Sequence, residues 1–141
     1  MKIRNVMTDN VSTVQSKSSV SEAASIMKDL NVGAVPVCEG NKPVGILTDR
    51  DIAVRNVADA RDANSQVEDI MSGNLVYGTP DMSNEEAAKI MGDNQIRRLP
   101  IVENGNIVGI VSLGDLAVKT NNDMEAGKAL SSISIPSQPQ R

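Results

Sequence analysis

The sequence predicts an α+β fold: two tandem β-α-β-β-α units packed sheet to sheet about a pseudo-two-fold axis. Three observations predict it. An internal repeat runs without a gap, a helix-start signal recurs at the same place in each copy, and a tight turn between two apolar runs follows each helix. Val6–Arg55 lies over Ile70–Lys119 at a constant offset of 64. Met7 falls on Met71, Ser19 on Ser83, Glu22 on Glu86, and Ala23-Ala24 on Ala87-Ala88. Ile26-Met27 fall on Ile90-Met91, Pro36 on Pro100, Val44-Gly45-Ile46 on Val108-Gly109-Ile110, and Asp51 on Asp115. Chance does not hold register over that length, so the chain carries an internal duplication.

Each unit is expected to open with a short strand, Val11–Val14 and Leu75–Tyr77. A helix follows. Ser19 with Glu22, and Ser83 with Glu86, have the S-x-x-E spacing of a capping box, in which each side chain satisfies a free backbone N–H at the helix start. Behind the first box, Val20, Ala23, Ala24 and Met27 recur at helical spacing, as do Ala87, Ala88, Ile90 and Met91 behind the second. Two strands and a turn come next: Ala34–Cys38, Gly40-Asn41-Lys42 and Pro43–Leu47, then Leu99–Val102, Asn104-Gly105 and Ile107–Val111. Gly and Asn tolerate the positive φ these turns need. Helices near Asp49–Asn56 and Leu113–Thr120 close the units. The expected organisation is repeat 1 over 1–56, a polar linker over 57–66, repeat 2 over 67–120, and a C-terminal segment over 121–141. That last segment holds a short helix at Met124–Leu130 and a loose tail from Ser131.

Composition narrows the function. The chain of 141 residues is 40% hydrophobic but has no Phe, no Trp and one tyrosine, Tyr77. The core must therefore be aliphatic, and the aromatic platforms on which single-stranded nucleic acids stack are missing. A formal charge of −4 also opposes a phosphate backbone as partner, so no nucleic-acid binding is expected. Cys38 is the only cysteine and histidine is absent. An intramolecular disulfide, the usual zinc sites, and Cys–His or Ser–His nucleophile pairs are thereby excluded, and no metal site or enzymatic activity is expected. Cys38 reads as a small buried core residue, and Met27 and Met91 as core packing. Met1–Thr8 has no apolar run of signal-peptide type, and nothing approaches the roughly 20 apolar residues of a membrane span. A cytoplasmic protein with no membrane contact is the expectation.

The chemistry-bearing segment is Gly45-Ile46-Leu47-Thr48-Asp49-Arg50-Asp51, matched by Gly109-Ile110-Val111-Ser112-Leu113-Gly114-Asp115. The shared pattern, G-h-h-[T/S]-x-x-D, falls where a strand ends and a helix begins. A hydroxyl there can donate to a phosphate or sugar oxygen, and a carboxylate one turn later can accept from a ribose cis-diol, as an Asp does in dinucleotide folds. The same spacing fits a capping box with Asp in place of Glu, and spacing alone does not choose between the two. Arg50, Arg97 and Arg98 have two readings as well: bidentate partners of a phosphate, or surface cations paired with exposed acids. Lys119 and Arg55 end their helices, where cations are favoured.

The duplication, the two G-h-h-[T/S]-x-x-D endings, and the Val-Met-Thr and Ile-Met-Ser openings resemble a tandem CBS-domain pair, or Bateman module. Val32-Gly33-Ala34-Val35-Pro36-Val37 and Ile96-Arg97-Arg98-Leu99-Pro100-Ile101 resemble the second strand of that family. The resemblance covers Ile3 to about Lys119 and implies a stand-alone regulatory module. Such a module binds AMP, ADP, ATP, S-adenosylmethionine or a related adenosine ligand between its repeats, needs no obligatory cofactor, forms a homodimer, and signals by conformational change to a regulated protein. The alternative is a ligand-free dimerisation and interaction scaffold. By position, the resemblance implies that Asp51 and Asp115 hold ribose hydroxyls, with Thr48 and Ser112 near phosphate or ribose. Backbone groups of Ala34, Val35 and Pro36, and of Arg98, Leu99 and Pro100, would frame the adenine. Thr13 and Tyr77 would meet base or sugar, and Arg50 would join the phosphate contacts.

Overall fold

The computed structural model describes residues 1–119 and 133; the expected helix at Met124–Leu130 and all but one residue of the tail lie outside these. The chain forms two compact units: Val11–Leu75 with Asn104–Ile107, and Met1–Asn10 with Val76–Glu103 and the chain from Val108 onward. The α+β class and the tandem order of strands and helices are as expected.

In the unit built on Val11–Leu75, β1 (Val14–Gln15) runs parallel to β2 (Ala34–Glu39), which pairs antiparallel with β3 (Lys42–Thr48). α1 (Val20–Leu30) buries Val20, Ala23 and Met27. These pack with Val35, Val37 and Leu47 in one apolar cluster. Gly40 starts the β2–β3 turn with φ 63, a conformation that a side chain would strain. Cys38 is fully buried in β2; burial pushes its thiol above the ordinary value, and a hydrogen bond with the Thr13 side chain opposes this to a lesser degree. In the other unit, α3 (Asn84–Asp93) buries Ala87, Ala88 and Met91 against Leu99 and Ile101 of β4 (Arg98–Glu103) and Val111 of β5 (Asn106–Ser112). α4 (Leu113–Lys119) adds Leu116.

Several expected elements come out differently. The opening strand lies at Val14–Gln15 rather than Val11–Val14, and its counterpart reduces to one parallel bridge, Gly78 with Ile101, in place of Leu75–Tyr77. Proline explains the difference: Ser16 N–H donates to the Cys38 carbonyl at 3.0 Å, whereas Pro80, its counterpart, has no N–H to extend the ladder. At Ser19 and Ser83 only half of each expected capping box forms. The serine oxygen accepts from the N–H of Glu22 or Glu86 at 3.1 Å, while both glutamates lie exposed to solvent. The segment Asp49–Asn56 is one α-helical turn, α2 (Asp49–Asp51), that widens into a π-helix over Ile52–Val57. Its i→i+5 bonds include Ala58 N–H to the Ala53 carbonyl at 2.9 Å. The counterpart α4 stays α-helical.

The main departure from a simple tandem reading lies ahead of each repeat. The short 3₁₀ turn Ile3–Asn5 packs not with the first repeat but with the second: Ile3 and Val6 are buried against Met91, Leu99 and Ile101. The 3₁₀ turn Val67–Asp69 does the reverse, with Val67 and Ile70 buried against Val20, Val37 and Leu47. The exchange keeps the offset of 64. Thr8 and Ile110 exchange two backbone hydrogen bonds of 2.8 and 2.9 Å, and Ser72 and Ile46 exchange two of 3.0 and 3.1 Å. Each lead-in thus satisfies one edge of the strand carrying the G-h-h-[T/S] segment. Both contacts depend on a strand glycine. A Cβ on Gly45 would stand 2.5 Å from the Ser72 carbonyl oxygen and 2.8 Å from Met71 Sδ. A Cβ on Gly109 would run into Met7 Sδ and stand 3.1 Å from the Thr8 carbonyl oxygen.

Gly45→Ala, which meets backbone, is expected to cost about 1–3 kcal/mol in chemical denaturation, the usual range for overpacking. Gly109→Ala, which mainly meets a thioether, should be partly rescued by Met7→Ala in a double-mutant cycle. Two strictly additive substitutions would show that Met7 does not set the contact.

Candidate functional site

Every residue singled out in the first repeat falls in the unit built on Val11–Leu75, and every one in the second falls in the other unit. In the former, the β2–β3 register places Ala34 opposite Thr48, Val35 opposite Leu47 and Pro36 opposite Ile46. The Ala34–Pro36 backbone and the Thr48 hydroxyl are therefore on neighbouring strands of one sheet. Val35 and Pro36 are buried, whereas Ala34 and Thr48 are half-buried at the strand ends. Thr13 is half-buried beside Cys38. In the other unit Leu99 and Pro100 are buried, Arg98 and Ser112 half-buried, and Tyr77 is 51% exposed next to the Gly78 bridge.

At each strand–helix junction the hydroxyl and carboxylate form a reciprocal capping box. Thr48 Oγ1 accepts from the Asp51 N–H at 3.0 Å, and Asp51 Oδ2 accepts from the Thr48 N–H at 3.0 Å. Ser112 Oγ accepts from the Asp115 N–H at 3.0 Å, and Asp115 Oδ2 accepts from the Ser112 N–H at 3.2 Å. The box satisfies two backbone donors that a helix start would otherwise leave free. It occupies one carboxylate oxygen of each Asp. Asp51 Oδ1 lies 3.9 Å from Arg55 Nε, within ion-pair range but beyond a hydrogen bond, and the Asp51 side chain is 14% exposed. Each threonine or serine hydroxyl accepts here and keeps its own proton to donate. Capping and ligand contact therefore use different atoms of the same side chains.

The junctions share one backbone frame. The Asp49 N–H donates to the Gly33 carbonyl at 2.9 Å, and the Leu113 N–H donates to the Arg97 carbonyl at 2.8 Å. Their side chains differ. Asp49 Oδ1 accepts from the Arg50 N–H at 2.8 Å, and its Oδ2 lies 3.1 Å from where a Cβ on Gly33 would stand. Asp49 stands at the junction in a place that motif reading passes over, because it occupies an unspecified position of the pattern. The signal that exposes it is its mismatch with Leu113 at the offset of 64. Among the described residues the side chains of Arg50, Arg97 and Arg98 take part in no hydrogen bond or ion pair. Arg55, by contrast, faces Asp51 and donates to the Met71 carbonyl at 3.4 Å.

Thr48→Ala should cost about 1 kcal/mol in thermal or denaturant unfolding, the usual worth of an N-cap, and Thr48→Ser should restore most of it. Equal stability of the alanine and serine variants would mean the cap carries no weight.

The family model for the CBS domain matches residues 3–56 and 67–119. The CBS domain-containing protein YhcV of Bacillus subtilis is 51% identical over 132 residues, 94% of each chain. A crystal structure of hypoxic response protein I with two coordinated zinc ions superposes with a TM-score of 0.78 at 29% identity, covering 83% of this chain and 97% of that one. A hexameric CBS-CP12 protein from bloom-forming cyanobacteria superposes with a TM-score of 0.72 at 26% identity, covering 88% and 73%. Among the described residues, no helix is long and apolar enough to cross a membrane.

Proposed function

This chain belongs to the CBS-domain family, and we propose that each of its two units takes the adenosine part of a small regulatory ligand. One observation carries the reading. At both junctions the capping carboxylate spends Oδ2 on its own helix, which leaves Oδ1 for a sugar hydroxyl beside a hydroxyl that still has a proton to donate. Asp51 and Asp115 would receive the ribose hydroxyls, and Thr48 and Ser112 would donate to ribose or phosphate oxygen. The main chain of Ala34–Pro36 and Arg98–Pro100 would frame the base, and Thr13 and Tyr77 would border it. Ligand favours whichever conformation it binds better, and a partner protein reads that shift. The proposal assigns no catalytic step and no obligatory cofactor.

A second reading has an observation of its own. Two complete capping boxes give the Thr–Asp and Ser–Asp pairs a structural role without any ligand, which fits an interaction scaffold. Both readings include self-association. Val54 and Val57 in the π-helix and Val118 in α4 are 46%, 68% and 80% exposed, and Val54 and Val118 are matched at the offset of 64. Apolar residues left on the second helix of each repeat suit a homodimer interface. The chain has no histidine, and no group of three His, Cys, Asp or Glu among the described residues is placed to hold a metal.

Isothermal titration with AMP, ADP, ATP, NAD and S-adenosylmethionine tests the proposal. Binding should occur with at least one of them, and Asp51→Ala and Asp115→Ala should each remove one site while circular dichroism shows a folded chain. No binding by the wild type would leave the scaffold reading in place.

A further inference from the structure

The two junctions share their backbone hydrogen bonds but are opposite in charge. Where the first repeat has Gly33, Ala34, Asp49 and Arg50, the second has Arg97, Arg98, Leu113 and Gly114. With the shared aspartates counted, Asp49, Arg50 and Asp51 leave one net negative charge, and Arg97, Arg98 and Asp115 leave one net positive charge. The cations one turn further on, Arg55 and Lys119, match in sign and do not alter the contrast. The placement of the exchanged charges matters more than their count. The Asp49 carboxylate sits over the Gly33 backbone, 3.1 Å from the missing Cβ, at the position from which the Arg97 side chain departs in the other unit. Leu113, which replaces Asp49, is only 8% exposed and brings no acid to neutralise the arginines. Arg98, half-buried at the start of β4, has no ion-pair or hydrogen-bond partner among the described residues, and neither does exposed Arg97.

We propose that the two units select adenosine ligands of opposite charge. The Arg97–Arg98 unit takes the phosphorylated ligand, an adenosine di- or triphosphate. The Asp49 unit takes an adenosine compound that lacks phosphate or carries positive charge. This rests on the adenosine-site reading above and adds to it the residues that set selectivity. A guanidinium without a hydrogen-bond or ion-pair partner among the described residues, as at Arg97 and at Arg98, can match phosphate oxygens bidentately. A carboxylate at the equivalent place, such as Asp49, repels a polyphosphate and attracts a sulfonium or ammonium group. The Asp49 and Arg98 side chains act on ligand charge, so their loss should change the ratio of affinities for ATP and adenosine.

The test uses the full chain in two single-site backgrounds, Asp115→Ala and Asp51→Ala, each checked for folding by thermal denaturation. ATP, adenosine and S-adenosylmethionine are titrated into each. In the Asp51→Ala background, Arg97→Ala/Arg98→Ala should lower ATP affinity about tenfold or more, flatten its salt dependence, and lower adenosine affinity far less than ATP affinity. In the Asp115→Ala background, Asp49→Asn should raise ATP affinity by about tenfold and weaken S-adenosylmethionine. The same two charge substitutions in the wild-type chain keep the test valid if a background variant unfolds, because the two binding phases should then converge in their ATP-to-adenosine ratio. Two units with equal ratios, unmoved by these substitutions, would overturn the charge assignment and leave the adenosine sites standing. No binding of any adenosine compound would overturn both.

Discussion

Each half of this protein depends on a close backbone contact made by a segment that precedes the other half in sequence. Thr8 closes an edge of β5 and Ser72 closes an edge of β3, each through a pair of short hydrogen bonds. At Gly45 a Cβ would collide with the approaching backbone, and at Gly109 it would collide with the Met7 thioether that the lead-in carries. The cost of leaving a buried strand edge without partners is what makes these few atoms matter. The same segments carry Ile3 and Val6, or Val67 and Ile70, into the two cores. A single repeat taken alone lacks the residues that close its own interior. The duplication is therefore a structural requirement: the chain reaches two complete cores only by exchanging lead-ins.

That contact also positions the chemistry. Ile46 and Ile110, held by the lead-ins, stand two residues before Thr48 and Ser112 on the same strands. The strand ends are thus fixed from one side by the lead-in and from the other by the capping box. A hydroxyl and a carboxylate held in this way present their remaining atoms at small entropic cost, which is the condition for reading a sugar by hydrogen bonds. Around this shared frame the side chains have diverged, with Asp49 against Leu113 and Gly33 against Arg97. Duplication supplies two copies of the frame, and substitution at its rim can give each copy its own ligand.

The features legible in the sequence are those with local causes. The helices announce themselves through Ser19 and Ser83 and through alanine and methionine at helical spacing. The hairpins do so through Gly40-Asn41 and Asn104-Gly105. The two possible roles of Asp51 and Asp115 were legible as well, and both capping boxes form. What escaped has non-local causes. The destination of Ile3 and Val67 depends on which core lies nearest in space, and helical spacing cannot report that. The shrinkage of the opening strand in the second repeat turns on one missing N–H, at Pro80, opposite a strand some twenty residues later. The π-helical widening over Ile52–Val57 leaves no signature in helical spacing, because its counterpart α4 is α-helical. Asp49 was hidden because the motif leaves its position unspecified, although comparison of the two copies exposes it.

The claim on which the rest stands is that the exchanged lead-ins are integral to the two cores. Amide hydrogen exchange, read residue by residue by NMR, tests it most directly. The account predicts that the amides of Thr8, Ile46, Ser72 and Ile110 exchange among the slowest in the chain, with opening free energies close to that of global unfolding. Fast exchange at all four, with the β2 and β3 amides around Val35 and Leu47 still protected, would contradict it and show that each repeat folds without the lead-in of the other.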